Sequence, residues 1–273
     1  MTLQEKYKEL QSSGGALLAT NFYNFETLEG VLKAAALTKN PIILQLTPSS
    51  IQYMGLHVAV KLARSAADHH QVEAWVHLDH GDSYETVASC LDAGFDSVMI
   101  DASEKALEEN IRITRKVVDL AARYGACVEA ELGYVAKLGQ STQKEGYTTP
   151  EEASLFIEQT GINALAIAIG TAHGFYKSEP KLDLDRLSEI QKSVDAALVL
   201  HGSSGVPHTQ LVEAIQRGIN KINLATEIKN IFMSTLKAKL AGETEIDLRK
   251  VFPHATKAVT ALVAEKLNLL SHA

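Results

Sequence analysis

Short, almost wholly apolar runs recur along the chain. Longer stretches separate them, in which apolar positions return every three to four residues. Eight runs can be read: ALLATN (16–21), PIILQLT (41–47), AWVHLD (74–79), DSVMID (96–101), ACVEAE (126–131), NALAIAI (163–169), ALVLHG (197–202) and NKINLA (220–225). Runs of this length that are apolar throughout predict strands buried on both faces of a parallel sheet. The intervening periodicity predicts helices over 25–38, 55–69, 82–93, 104–124, 150–160, 183–193, 207–217, 226–241 and 255–270. The helix at 150 opens with Pro150, Glu151 and Glu152, a proline and acidic first turn that suits a helix amino terminus.

Eight strand–helix units in 273 residues predict an α/β fold, a (β/α)8 TIM barrel. The competing open, doubly wound sheet would carry a glycine-rich turn after its first strand. Here that strand runs into Thr20-Asn21-Phe22-Tyr23-Asn24. No linker or shift in composition interrupts the chain, so a single domain over 1–273 is expected.

Composition narrows the function. Apolar residues make up 46% and charged residues 22%, the proportions of an ordinary globular protein. The formal charge of −7 argues against a nucleic-acid partner. The absence of a basic amphipathic face, and of an apolar run of about 18 residues, argues against a membrane partner. The first fifteen residues, MTLQEKYKELQSSGG, have no apolar core of a signal peptide. Cys90 and Cys127 lie in apolar segments and read as buried free thiols, so a cytoplasmic location is expected.

In a barrel, chemistry collects at the carboxyl ends of the strands. Those ends present Asn21; Gln45 and Thr47; Asp79-His80-Gly81; Asp101; Glu129 and Glu131; Gly170 to Gly174; His201 to Gly205; and Asn223 with Thr226. Of ten histidines, His57, His69, His70, His208, His254 and His272 fall in helices, tails or solvated loops. His77 sits inside the third strand and reads as a packed barrel residue. His80, His173 and His201 each follow a different strand. Three neutral imidazoles converging on one mouth, with an open position, make a catalytic metal site. Asp79 either orients a histidine or serves as a general acid/base. Adjacent strand residues point oppositely, so Asp79 need not share the role of His80. Asp101 and Glu131 read either as groups behind the ligands or as an alternative metal position.

HGFYK (173–177) and HGSSG (201–205) offer glycine-flanked N–H groups and hydroxyls, and Lys177 adds a positive charge. NLAT (223–226) leads into a helix amino terminus. These are the places where barrels commonly hold phosphate.

HLDHG (77–81), SVMIDAS (97–103), VEAELG (128–133), AIGTAHGFYK (168–177), LHGSSGVP (200–207) and KINLATE (221–227) together resemble the class II, zinc-dependent ketose-bisphosphate aldolases over nearly the whole chain. Ala225 brings the last segment closer to the tagatose-bisphosphate branch. The resemblance implies one catalytic Zn2+ held by His80, His173 and His201, with Asp79 as the proton-transfer acid. It implies a metal that shifts toward Asp101 and Glu131 in some states. It also implies that Gly174, Gly202, Ser203, Ser204, Asn223 and Thr226 hold dihydroxyacetone phosphate. Asn21, Thr47, Lys177 and Ala225 complete the expected substrate site. A monovalent cation near the phosphate site and a homodimer or homotetramer are further expectations. The reaction implied is cleavage of a ketose 1-phosphate or 1,6-bisphosphate between C3 and C4.

Two departures stand out. Relatives carry acidic residues on a loop soon after the ELG segment, whereas here GYVAKLGQSTQKEGYT holds only Glu145. Relatives also carry an arginine in the final helix that clamps the far phosphate, where Thr256 stands here, and a glycine where Ser49 stands. A distal pocket of Ser49 and Thr256 favours a neutral or singly charged group, so 6-deoxy-6-sulfofructose 1-phosphate is an alternative substrate. Lys257 or Lys137 would restore the phosphate reading. A Schiff-base aldolase needs a desolvated lysine, with Lys177 and Lys221 as candidates. A zinc hydrolase and a non-catalytic sugar-phosphate-binding barrel are the remaining rivals.

Overall fold

A computed structural model describes residues 1–133, 146–176, 178–242 and 244–271, and the backbone of 136–137. The eight strands form as the apolar runs predict: β1 Leu17–Asn21, β2 Ile42–Leu46, β3 Ala74–Gly81, β4 Ser97–Ile100, β5 Cys127–Leu132, β6 Ala164–Ile167, β7 Ala197–Leu200 and β8 Ile219–Leu224. Each pairs in parallel with the next, and β8 closes on β1 to complete the barrel.

The helices are α1 Leu3–Ser13, α2 Phe25–Thr38, α3 Pro48–Met54, α4 Leu56–His70, α5 Tyr84–Asp92, α6 Leu107–Ala121, α7 Pro150–Thr160, α8 Leu184–Ser193, α9 His208–Gln216, α10 Thr226–Leu240 and α11 Leu248–Ser271. Two of these, α1 and α3, have no counterpart in the predicted elements. Both begin on a readable cap: Thr2 and Glu5 form a capping box, and Thr47 caps a turn that opens with Pro48. The last helix starts at Leu248, earlier than the expected 255, because Pro253 is accommodated inside it.

Alternate strand residues point into the barrel and climb it in layers. At the bottom, Leu17, Ile43, Trp75, Cys127, Ala164 and Ala197 pack together, and Leu3, Tyr7 and Leu10 of α1 close that end. The next inward positions carry a polar layer, with His77, Ser97, Glu129 and Lys221 in mutual contact. One more step up lie Asn21, Asp79, Glu131, His201 and Asn223. The other strand face packs against the helices in the main apolar core. That core, shared by every strand–helix unit, holds the upper layer in place.

Candidate metal centre and active site

His80 ends β3 in a left-handed conformation, with φ of 51°, where the ladder with β4 shifts register. The twist overrides the alternation expected of a strand. Asp79 and His80 therefore face one cavity, with Asp79 Oδ1 3.9 Å from His80 Nε2. Gly81 permits this turn, because a Cβ there would collide with the carbonyl oxygen of Met99. His201 follows β7 and is fully buried. His173 lies in a two-residue ladder, Ala172–His173 against Ala136–Lys137. Gly202, with φ of 67°, brings the chain so close to this ladder that a Cβ would sit 2.5 Å from the Ala172 carbonyl oxygen.

One ligand atom from each of His80, His173, His201 and Glu131 falls within 4.8 Å of all the others. Three imidazole nitrogens and a carboxylate oxygen are a fitting donor set for a divalent metal ion. The hydrogen bonds behind them fix which nitrogens point inward. Asp101 takes His80 Nδ1 at 2.7 Å, leaving Nε2 for the cavity. Glu129 takes His201 Nε2 at 2.8 Å, leaving Nδ1. Oε2 of Glu131 is buried without a hydrogen-bond partner, an orphan that a cation would satisfy.

The electrostatics agree. Burial alone would lower the His80 imidazole pKa, but Asp79, the Asp101 hydrogen bond and Glu131 raise it to about 9. Without a metal, a proton supplies the positive charge this cluster of carboxylates demands. Burial, with the charges of His201 and His80, lowers His173 to about 3. Burial, and then Asp101, raise Glu131 to about 7 against the pull of His201 and His80. Burial would raise Asp79 as well. The charges of His80, His201 and Lys221 and a hydrogen bond from Asn21 outweigh it and hold Asp79 at about 2. Asn21 Nδ2 donates to its Oδ2 at 2.9 Å, and Asn223 Nδ2 approaches its Oδ1 at 3.4 Å.

Most of the expected site residues converge. Asn21, Thr47, Ser49, Asp79, His80, His173, Gly174, His201, Gly202, Ser204, Asn223, Ala225 and Thr226 line one cavity of about 250 Å³. Glu131 joins the imidazole cluster itself, whereas Asp101 is committed to His80. Ser203 is placed differently: it is buried, and its hydroxyl donates to the Asn223 carbonyl. Thr256 is a correction. It lies in a groove between α2 and α11, with Lys257, and not beside Ser49. Its backbone packs against Gly30 of α2, so within one chain Thr256 and Ser49 do not share a cavity. Lys177, Glu145 and the side chain of Lys137 lie outside the described residues.

Sequence reasoning passed over Tyr23 and Lys229, which line the cavity; Glu129, read only as a strand-end acid, and Lys221, read as a Schiff-base candidate, lie beneath it. Lys221 is a fully buried lysine, as a Schiff-base mechanism needs. Its amine is 2.6 Å from Glu129 Oε2, and that ion pair occupies it. The signal for Glu129 and Lys221 was their alternation with Glu131 and Asn223 on inward positions. Around the rim, Tyr176 OH accepts from Ala172 N and donates to the Gly202 carbonyl, tying the β6 and β7 loops together. Glu227 accepts from Gly205 N and pairs with Lys266, which fixes the β7 loop to α10 and α11.

A closed (β/α)8 barrel thus joins a metal-competent donor cluster to glycine-bearing loops at one mouth. The family model for class II fructose-bisphosphate aldolase matches residues 1–273. A D-tagatose-1,6-bisphosphate aldolase subunit GatY from Klebsiella oxytoca is 42% identical over 261 residues, covering 94% of this chain and 92% of that protein. The YdjI aldolase of Escherichia coli K12 superposes with a TM-score of 0.88 at 33% identity, over 98% of this chain and 96% of that one. A putative fructose-1,6-bisphosphate aldolase from Coccidioides immitis gives 0.88 at 30% identity, over 98% and 95%. The chain belongs to the class II fructose-bisphosphate aldolase family. It is a carbon–carbon lyase that cleaves a ketose phosphate to dihydroxyacetone phosphate and an aldehyde.

Proposed function

We propose that this single-domain barrel is a zinc aldolase for ketose 1,6-bisphosphates, with His80, His173 and His201 as ligands and Glu131 as a fourth donor. The convergence of these four groups beside Asp79 carries the reading. A bound Zn2+ would supply Lewis-acid stabilisation of the negative charge that develops on the ketone oxygen as the C3–C4 bond breaks. The chain's own residues do the rest. Asp79, ionised at neutral pH and oriented by Asn21, accepts the proton of the C4 hydroxyl. Gly174, Gly202, Ser204, Asn223 and Thr226 hold the dihydroxyacetone phosphate half, with backbone N–H groups at the start of α10 turned toward the anion. The tagatose-bisphosphate name of the Klebsiella relative supports including that substrate first.

The test couples release of dihydroxyacetone phosphate from tagatose and fructose 1,6-bisphosphates to a chelator series. Chelation should abolish turnover and Zn2+ should restore it. Asp79→Asn should keep the metal and lose roughly 10²–10⁴-fold in kcat. Full turnover by metal-free protein refutes the assignment, and loss of metal from Asp79→Asn refutes the role given to Asp79.

A homodimer in the cytoplasm completes the reading. The α2–α11 groove, about 980 Å³, exposes Phe25, Leu37 and Leu248 and is lined by charges of both signs, among them Glu26 on α2 and Lys257 on α11. A two-fold related copy would match those charges and cover the apolar floor. The two free, buried cysteines suit a reducing compartment, and no helix among the described residues is long and apolar enough to cross a membrane.

A further inference from the structure

Lys266, near the end of α11, has no part in the chemistry derived above, yet it is only 6% exposed. Its Nζ lies 3.3 Å from Oε2 of Glu227, on the first turn of α10. It also lies 3.4 Å from Nε2 of His208, the first residue of α9. His208 in turn faces Glu265 Oε1 at 3.3 Å, on the exposed edge of the cluster. Glu227 reaches the other way. Its Oε1 accepts from Gly205 N at 2.8 Å, and its own backbone N–H donates to Ser204 Oγ at 3.3 Å. A carboxylate thus holds the β7 loop against α10. That carboxylate stands behind Ser204 and next along the chain from Thr226, two residues that line the cavity.

Each half of this arrangement is unfavourable by itself. A negative charge close behind a phosphate site opposes binding of the dianion. A lysine buried among the helices is desolvated and gives the fold little in return. Together the two compensate. The loop needs an acceptor for Gly205 N, and the phosphate needs surroundings without net negative charge. A cation brought in from α11 satisfies both.

We propose that Lys266 is a positioning residue for phosphate binding. Its ammonium neutralises Glu227, so that Glu227 anchors the β7 loop without repelling the phosphate of dihydroxyacetone phosphate. The inference rests on the aldolase reading above and deepens it. Lys266 touches no substrate and acts only through Glu227. The final helix thereby sets how strongly the β7 loop holds an anion.

The experiment titrates inorganic phosphate by calorimetry into the zinc-loaded wild type, Lys266→Met, Glu227→Gln and the double variant. It also measures the KM for dihydroxyacetone phosphate in the condensation direction. Lys266→Met leaves the Glu227 charge unpaired, and both constants should rise by on the order of tenfold. The KM for the aldehyde should change much less. Glu227→Gln keeps an acceptor oxygen for Gly205 N and leaves the lysine charge unopposed, so phosphate should bind as tightly as in the wild type or more tightly. The double variant is neutral again and should return to near the wild-type values. A role in packing alone predicts the reverse, with the double variant at least as impaired as either single one, and that result overturns the proposal. An unchanged phosphate affinity in Lys266→Met overturns it too, as does an equal rise in the KM of both substrates. Should Lys266→Met not fold, Glu227→Gln against the double variant decides. The former should hold phosphate more tightly, and equal affinities refute the charge argument. Failure of the wild type to cleave any ketose phosphate refutes the aldolase reading, whereas the phosphate titrations need no turnover and test this inference separately.

Discussion

Glu129 is the junction between the cavity and the polar layer beneath it, and replacing it tests both at once. Its Oε1 holds His201 Nε2 at 2.8 Å, and its Oε2 holds Lys221 Nζ at 2.6 Å. Lys221 also lies 3.3 Å from His77 Nε2, whose Nδ1 reaches Ser97 Oγ at 2.8 Å. Burial would raise the Glu129 carboxyl, but Lys221, the His201 hydrogen bond and His77 hold it far below its ordinary range. Burial and the Lys221 charge lower His77 to about 3, so His77 stays neutral and can accept from the lysine. Glu129→Gln keeps the shape and removes the charge. Lys221 is then left uncompensated in the core, which costs about 3–5 kcal/mol. In a chain of this size that lowers the Tm by roughly 6–20 °C. His201 also loses the partner that fixes its tautomer, and metal affinity should weaken about 10–100-fold. The double variant Glu129→Gln/Lys221→Met removes the stranded charge. It should recover most of the Tm but not the metal affinity. Thermal melts of metal-free protein and competition against a chromophoric chelator read the two quantities separately. A Glu129→Gln protein with wild-type Tm and wild-type metal affinity would refute the reasoning.

Metal binding should be coupled to proton release. At pH 7 the metal-free site holds a proton on His80, raised to about 9, and is about half protonated at Glu131, raised to about 7. Titration calorimetry in buffers of differing ionisation enthalpy should therefore count between one and two protons released per ion, and a count of zero would contradict the ligand set. The same His80 shift gives the metal-free fold a contribution that is full below the ordinary histidine pKa and lost as pH rises through about 9, so its Tm should fall across that window. For the assembly, light scattering should give a dimer mass for the wild type and a monomer mass for Leu37→Glu, because Leu37 is 73% exposed in the α2–α11 groove. A monomeric wild type would dismiss that interface.

The barrel was legible because parallel strands buried on both faces leave an unbroken apolar run, a signal that needs no tertiary knowledge. The helix at 25–38 was legible to the residue, since Asn24 caps it and the apolar stripe starts at once. The imidazole trio was legible because the fold places every strand's carboxyl end at one mouth. What failed depended on packing rather than spacing. Leu3, Tyr7 and Leu10 do carry helical period behind the Thr2–Glu5 capping box, yet the charged segment around them hides α1. Thr256 was assigned by its match to the final-helix arginine of relatives, and position along a helix does not reveal which neighbour that face meets. Here the neighbour is α2, at Gly30.

Lys229 was passed over and Glu129 was read only as a strand-end acid, for opposite reasons, and the contrast bears on how the site works. Lys229 looks like an ordinary exposed helix lysine, and only the lean of its side chain toward Tyr23 gives it a place at the mouth. Glu129 looks like a strand residue that ought to be apolar, and it is buried beside an equally buried lysine. An ion pair inside a barrel is a poor way to gain stability, because desolvation consumes most of the attraction. A layer of valine and leucine would serve the fold at least as well. The pair makes sense as a support. His201 can turn Nδ1 to the cavity only if something accepts from Nε2, a carboxylate that accepts there needs its own counter-charge, and Lys221 supplies it two positions below Asn223. The polar layer thus fixes the geometry of the mouth at a cost to the core.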